Sequence, residues 1–117
     1  MLFLCYPKCS TCKKAKKYLD LNGIDYVERD IVLDHPKKEE LKKWISFNNI
    51  DINKYFNTSG IMYRQMELSK KLKDLTDDEK INILSKNGML VKRPLIVLDD
   101  GKIILGFKEE DYSKLKR

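Results

Sequence analysis

The sequence lacks the marks of several large classes of protein. No apolar run approaches the roughly 20 residues that cross a membrane, and the apolar stretch at 1–6 leaves no room for a signal peptide. The chain has one histidine and three cysteines, whereas a structural zinc site takes four ligands, usually as two closely spaced pairs. We therefore expect a cytoplasmic protein without a membrane anchor and without a metal.

Repeats, low-complexity segments and linkers are also missing. The length of 117 residues predicts a single domain over 1–117. The apolar content of 42 % and the charged content of 36 % are typical of a globular protein with a charged surface. The net charge of +6 arises largely from lysine runs at helical spacing among acidic residues, which indicates solvated helix faces. A positive surface can still attract a small oxyanion or an acidic partner.

No motif for binding nucleic acid is present, and no aromatic residues are interleaved with the basic ones. Proteins that bind nucleic acid directly usually show one or both of these features. We therefore expect no direct contact with nucleic acid, and we expect a monomer.

Apolar periodicity is present from the first residue. Residues 1–6 form an apolar run, and residues 10–22 repeat apolar side chains at three and four residues before Gly23, a typical helix terminator. Residues 25–29 alternate as a second strand. Strand, helix and strand within about thirty residues form a βαβ unit, so the two strands should be parallel.

The middle of the chain is predicted to be mostly helical, over about 37–88. We expect Trp44 and Phe47 to lie in the core and residues 62–68 to form a helix. Thr76 followed three residues later by Glu79 is a capping box, which predicts a further helix from that point.

The last part of the chain predicts a hairpin and a helix. Residues 95–98 and 102–105 are apolar strands across an Asp-Asp-Gly turn, and residues 108–115 form an amphipathic helix. The whole order predicts an α/β, thioredoxin-like fold. It consists of a four-stranded mixed sheet flanked by helices, with a helical insertion at about 37–88.

Two cysteines stand where the first strand passes into the first helix. Cys9 and Cys12 are close enough in sequence to share the first helical turn and to form a disulfide. The free amides and positive dipole end of the helix, together with Lys8, Lys13 and Lys14, favour a thiolate on Cys9. Cys12 is then placed to attack a mixed disulfide formed at Cys9.

Other interpretations of these cysteines remain open. They are a zinc site, a structural disulfide, or two buried cysteines without a shared role. Cys5 is expected to be a small buried hydrophobe, and His35, beside Pro36, is expected to face solvent in a loop.

Three motifs together resemble the arsenate reductase ArsC/Spx family. They are Tyr-Pro-Lys-Cys-Ser-Thr-Cys at 6–12, Asn-Thr-Ser-Gly at 57–60 followed by Tyr63 and Arg64, and Leu-Val-Lys-Arg-Pro at 90–94. The resemblance covers nearly the whole chain. It implies a thioredoxin-like core with a helical insert, with Cys9 at the nucleophile position of the family.

The resemblance also implies an anion site. Arg64 and Arg93 match the oxyanion-binding arginines of the family, and guanidinium groups suit oxyanions because they donate in pairs and stay charged. Ser10 and Thr11 are expected to offer hydroxyl or amide donors around Cys9. Pro94 is expected to follow a cis peptide bond and to face the cysteines, as the corresponding proline does in thioredoxin-like folds.

Two departures from the family pattern affect the predicted activity. The glutaredoxin-linked reductases have one cysteine in this loop, whereas this chain adds Cys12, which favours exchange with disulfides of proteins or small thiols. They also place a third arginine after the last strand, where this chain has Lys108, a point charge without a bidentate fork.

The predicted function is that of an arsenate reductase-like enzyme or a thiol–disulfide oxidoreductase. Its substrate would be a small oxyanion or a disulfide. No bound cofactor is expected, and electrons would come from thioredoxin, glutaredoxin or a low-molecular-weight thiol. The alternative is an Spx-like regulator, which would bind the alpha subunit of RNA polymerase and use the two cysteines as a redox switch.

Overall fold

A four-stranded mixed sheet forms the centre of the structure, a computed structural model that describes residues 1–115. The strands are β1 (Leu2–Cys5), β2 (Val27–Asp30), β3 (Leu95–Val97) and β4 (Ile103–Leu105). Their order across the sheet is β2-β1-β3-β4. Strand β1 is parallel to β2 and antiparallel to β3, and β3 is antiparallel to β4. This arrangement confirms the predicted sheet.

Six α-helices lie within residues 1–115. They are α1 (Ser10–Leu21), α2 (Lys38–Phe47), α3 (Ile61–Gln65), α4 (Leu68–Lys71), α5 (Asp77–Lys86) and α6 (Glu109–Ser113). Short 3-10 helices occur at Ile52–Tyr55, Leu72–Asp74 and Gly88–Leu90. Helices α2 to α5 form the predicted helical insertion between β2 and β3.

Local sequence signals set the ends of two helices. The Thr76 hydroxyl accepts from the Glu79 amide at 3.2 Å, and the Glu79 carboxylate accepts from the Thr76 amide at 3.0 Å, which confirms the capping box before α5. Gly23 follows α1 with a φ of +63°, the left-handed conformation that glycine adopts without strain. By contrast, Cys9, the N-cap residue of α1, makes no side-chain hydrogen bond that caps the helix.

Side chains on the two faces of the sheet form separate cores, because neighbouring residues of a strand point to opposite sides. We call the larger one the insertion core. Its buried members are Leu4, Ile31, Leu41, Trp44, Ile52, Tyr55, Phe56, Leu68, Leu72, Ile81, Leu84, Leu90, Val91, Leu95 and Ile103. We call the smaller one the α1 core. Its buried members are Phe3, Cys5, Cys12, Ala15, Leu19, Ile96 and Tyr112.

Two predictions inside the insertion need correction. The helix predicted at 62–68 is interrupted, because Glu67 adopts a left-handed φ of +53° between α3 and α4. Phe47 is not in the core: its side chain is 59 % exposed and covers Gly101 at the hairpin turn.

The amide side chain after Phe47 explains its position. Asn48 donates to the carbonyl oxygens of Trp44 (2.8 Å) and Gly101 (3.1 Å) and accepts from the amide of Ile103 (2.9 Å). These bonds tie the end of α2 to the β3–β4 hairpin and leave Phe47 at the surface above it.

No helix within residues 1–115 is long and apolar enough to cross a membrane.

Candidate active site

Cys9 lies in the loop after β1, at the N-cap position immediately before α1. Its amide donates to the carbonyl of Tyr6 at 2.9 Å, and its carbonyl accepts from the amide of Lys13 at 3.0 Å. The extended backbone of Cys9 (φ −82°, ψ 123°) aims the side chain across the start of the helix. Its thiol is therefore next to backbone amides that have no partner within the helix.

The pKa of Cys9 is lowered from its ordinary value. Partial burial acts to raise it, but hydrogen bonds from the Cys12 amide, the Cys12 thiol, the Arg93 side chain and the Thr11 amide outweigh burial. These donors favour the thiolate, which is the nucleophilic form of cysteine. The lysines near the motif, Lys8, Lys13 and Lys14, have exposed side chains.

Cys12 behaves in the opposite way. Its side chain is only 2 % exposed, and burial, together with the nearby Cys9 thiolate, raises its pKa to about 12. The backbone amide of Tyr6 donates to its sulfur at 3.3 Å and opposes this shift. The pKa values of the two thiols are therefore shifted in opposite directions, so Cys9 loses its proton before Cys12 does.

Two side-chain contacts hold Arg93 beside Cys9. The peptide bond between Arg93 and Pro94 is cis, as predicted. The guanidinium lies 5.3 Å from the centre of the Tyr6 ring, and Nη1 donates to the carbonyl of Met89 at 3.3 Å. The buried Nε has no hydrogen-bond partner among residues 1–115. An unpaired cationic donor beside a thiolate is suited to an incoming oxyanion.

A cleft of about 540 Å³ opens in front of Cys9. Its lining residues are Cys9, Ser10, Thr11, Asn57, Ser59, Gly60, Ile61, Met62, Met89, Lys92, Arg93, Gly106, Phe107 and Lys108. The lining contains three cationic side chains, from Lys92, Arg93 and Lys108, and no carboxylate. A cleft lined by one sign of charge concentrates ligands of the opposite sign.

The loop at 57–60 forms one wall of this cleft because it is tied to the end of the insertion. The Asn57 amide donates to the carbonyl of Leu90 at 2.8 Å, and the side chain is buried. Its side-chain oxygen accepts from the Ser59 hydroxyl at 3.3 Å. A Cβ at Gly60 would lie 2.7 Å from the Asn57 side-chain nitrogen, so only glycine fits there without a shift.

The structure places the predicted site residues in different positions. Cys9, Ser10, Thr11 and Arg93 line the cleft. Pro94 is buried behind it, and Arg64 lies on α3 with an exposed side chain outside the lining. Cys12 lies beneath Cys9 in the α1 core.

Sequence reasoning missed Lys92 and Gly106 as site residues. Lys92 stands directly before Arg93 in the motif at 90–94, and Gly106 directly follows β4, where a glycine is expected to end a strand. Nothing in the local pattern indicated that they meet in front of Cys9.

Two other predicted candidates lie outside the cleft. Cys5 is buried, and burial followed by the charge of Glu28 raises its pKa to about 11. His35 is half-buried rather than fully solvent-facing, with its ring Nδ1 3.3 Å from the carbonyl of Pro36. Within residues 1–115, no group of three or more histidine, cysteine or acidic side chains is arranged to hold a metal.

Comparisons with known proteins agree with this architecture. A crystal structure of an ArsC-family-related protein from Bacteroides fragilis is 51 % identical with a TM-score of 0.93, covering 98 % of this chain and 96 % of that one. The crystal structure of a possible arsenate reductase from Streptococcus mutans UA159 is 41 % identical with a TM-score of 0.86, covering 96 % of each chain.

A regulator is also among the similar proteins. The global transcriptional regulator Spx of Streptococcus mutans is 28 % identical over 105 residues, which cover 90 % of this chain and 74 % of that protein. The sequence model of the ArsC family matches residues 4–115. With this match over nearly its whole length and a thioredoxin-like fold to support it, the chain belongs to the ArsC family.

Proposed function

We propose that the protein is a thiol-dependent reductase of a small anionic substrate, either an oxyanion such as arsenate or a disulfide. The observation that carries this proposal is the position of Cys9 at the N-terminus of α1, in a cleft whose charged lining residues are all cationic. Hydrogen bonds there lower the pKa of its thiol. The protein would act as a monomer in the cytoplasm, where an external thiol keeps its cysteines reduced.

In the first step, the Cys9 thiolate attacks the substrate. With a disulfide, a bond forms between Cys9 and one substrate sulfur, and the other sulfur leaves as a thiolate. With arsenate, sulfur bonds to arsenic and one As–O bond breaks, and the departing oxygen takes up protons from solvent and leaves as water. Arg93, and Lys108 as a point charge, would bind the oxygens that carry the negative charge.

In the second step, Cys12 releases the product. The Cys12 thiolate attacks the Cys9 sulfur and forms the Cys9–Cys12 disulfide. The bond that joined Cys9 to the substrate sulfur or to arsenic breaks. The leaving group takes the electron pair, either as a second thiolate or as arsenite. Thioredoxin, glutaredoxin or a low-molecular-weight thiol then supplies two electrons to restore both thiols. Because Cys12 is buried with a raised pKa, this step should accelerate as pH rises.

Arg64, unlike Arg93, does not line the cleft. Its exposed side chain lies outside the cleft lining, so a contact with substrate would require the side chain to move across the start of α3. Its role as an oxyanion ligand rests on the family resemblance.

The alternative function is a redox-switched regulator that binds the alpha subunit of RNA polymerase. The similarity to Spx favours it, and the two free cysteines could serve as the switch. The comparison within one species favours the reductase. This chain is 41 % identical to the arsenate reductase-like protein of Streptococcus mutans and 28 % identical to Spx from that species.

The decisive experiment uses Cys12→Ser as a trap. Because the variant cannot resolve a mixed disulfide, it should retain its oxidised substrate or thiol partner on Cys9, and mass spectrometry would identify the adduct. Cys12→Ser combined with Cys9→Ser is the matched control and should retain nothing. The purified wild type should also reduce arsenate or a small disulfide over many cycles with an added thiol.

Two results would overturn the reductase. One is native recovery of RNA polymerase subunits with no turnover of either substrate class, which would support the regulator. The other is a Cys12→Ser protein that forms no adduct on Cys9.

A further inference from the structure

Lys92 is less exposed to solvent than most lysines of this protein. Among residues 1–115, nearly all lysine side chains are exposed, and Lys38, Lys80 and Lys92 are the exceptions. Lys38 lies on α2 and Lys80 on α5, both away from the cleft, whereas Lys92 lines it. A half-buried lysine at a ligand cleft calls for a specific reason, because lysine side chains are mostly exposed.

No acidic side chain accounts for the position of Lys92. The ion pairs among residues 1–115 involve other cations, and the cleft lining contains neither aspartate nor glutamate. The one hydrogen bond of Lys92 in this part of the chain is made by its backbone amide, which donates to the carbonyl of Tyr55 at 2.7 Å. The backbone is therefore fixed, while the ammonium has no anionic partner.

Gly106 directs the stem of Lys92. A Cβ built on Gly106 would lie 3.3 Å from Cε of Lys92, so the lysine stem passes directly over this glycine. Gly106 has a φ of +74°, its amide donates to the carbonyl of Pro94 at 2.8 Å, and its carbonyl accepts from the Tyr112 hydroxyl at 3.3 Å. The glycine is a fixed platform without a side chain, and it leaves room for the lysine.

We propose that Lys92 is a substrate-binding residue whose ammonium, passing over Gly106, binds the anionic group of the substrate in front of Cys9. This inference rests on the proposed reductase function and deepens it. It assigns a further cation beside Arg93 and explains why the residue after β4 is glycine. The ligand class is an anion, either an oxyanion or the carboxylate of a disulfide.

The test compares anionic and neutral substrates. The variant Lys92→Met keeps the stem but removes the charge, and Lys70→Met is the matched control, because Lys70 is exposed and outside the cleft. We expect Lys92→Met to slow reduction of the dicarboxylate disulfide dithionitrobenzoate about tenfold, the effect of one charge-assisted hydrogen bond. Reduction of the neutral hydroxyethyl disulfide should change less than about twofold. Lys92→Arg should restore most of the loss.

A second measurement uses arsenate and sulfate. Either anion should protect wild-type Cys9 from iodoacetamide, and Lys92→Met should raise the concentration for half-protection about tenfold. Gly106→Ala should weaken protection in the same direction, with its thermal midpoint measured alongside, because a side chain at positive φ is strained.

The outcomes separate the two proposals. If the wild type shows no protection and reduces neither disulfide, the proposed reductase function fails. If the wild type is protected and active but Lys92→Met and Lys70→Met lose equally little, the reductase stands and the role of Lys92 is wrong. An equal loss with the neutral and the anionic disulfide would also overturn it, because that pattern reports a structural effect.

Discussion

The two cores of this protein differ in what they contain. The insertion core is a set of aliphatic and aromatic side chains without cysteine. The α1 core is smaller, includes Cys5 and Cys12, and has Cys9 packed at its edge. Both cores pack against the same sheet, so the cysteines are separated from most of the buried apolar side chains.

The cleft lies where these two regions meet. Cys9, Ser10 and Thr11 come from the side of α1, and Asn57 to Met62 and Met89 come from the insertion. We infer that the insertion supplies stability and one wall, while the α1 core supplies the chemistry. Three experiments test this division between the two regions.

The largest expected effect is a difference in acidity among the three cysteines. Relative to an ordinary thiol at 9.0, values of about 11 for Cys5 and about 12 for Cys12 mean about a hundredfold and a thousandfold less thiolate at neutral pH. The lowered pKa of Cys9 acts in the other direction. Iodoacetamide followed by peptide mass spectrometry should therefore label Cys9 alone up to about pH 9, with Cys5 and Cys12 reacting only near pH 11 to 12.

The matched control for this labelling is the unfolded protein, in which the three thiols should react alike. Labelling of Cys12 at neutral pH in the folded protein would show that the α1 core does not hold the proton on that sulfur.

The second effect concerns the insertion core. Leu84 is fully buried on α5, so Leu84→Ala should lower the free energy of unfolding by about 2–5 kcal/mol, from lost burial and the cavity left behind. Urea unfolding would measure this. Leu33→Ala is the control, because Leu33 is 85 % exposed and should change stability by less than about 0.5 kcal/mol.

In the folded Leu84→Ala protein, the rate at which Cys9 is alkylated should stay as in the wild type. A large change in Cys9 reactivity would mean that the two regions are coupled, and that the division between stability and chemistry is wrong.

The smallest effect concerns the start of α5. Thr76→Ala removes the hydroxyl that accepts from Glu79 and should lower the free energy of unfolding by about 1 kcal/mol. Thr76→Ser keeps an accepting oxygen and should retain most of this stability. Equal losses for the two variants in thermal unfolding would show that packing of the threonine methyl, and not the cap, matters here.

Features that depend on residues close together in the chain could be predicted from the sequence. The strand–helix junction at Cys9, the capping box at Thr76 and the turn at Gly101 follow from local backbone and side-chain preferences, which act within a few residues. The apolar periodicities were long enough to predict the order of strands and helices, and hence the fold. The helix break at Glu67 escaped prediction because no glycine, asparagine or proline marks it.

Contacts between distant segments of the chain determine which residues share the site. Residues 9, 57, 92 and 106 meet because the sheet order places β1 beside β3, which pairs with β4, and because the insertion contributes one wall of the cleft. Burial raises the pKa of Cys12, whereas hydrogen bonds from the first turn of α1 and from Arg93 lower the pKa of Cys9 in the same motif. The same long-range packing left Arg64 and Phe47 at the surface and drew Lys92 into the cleft, because contacts between distant segments fix solvent exposure.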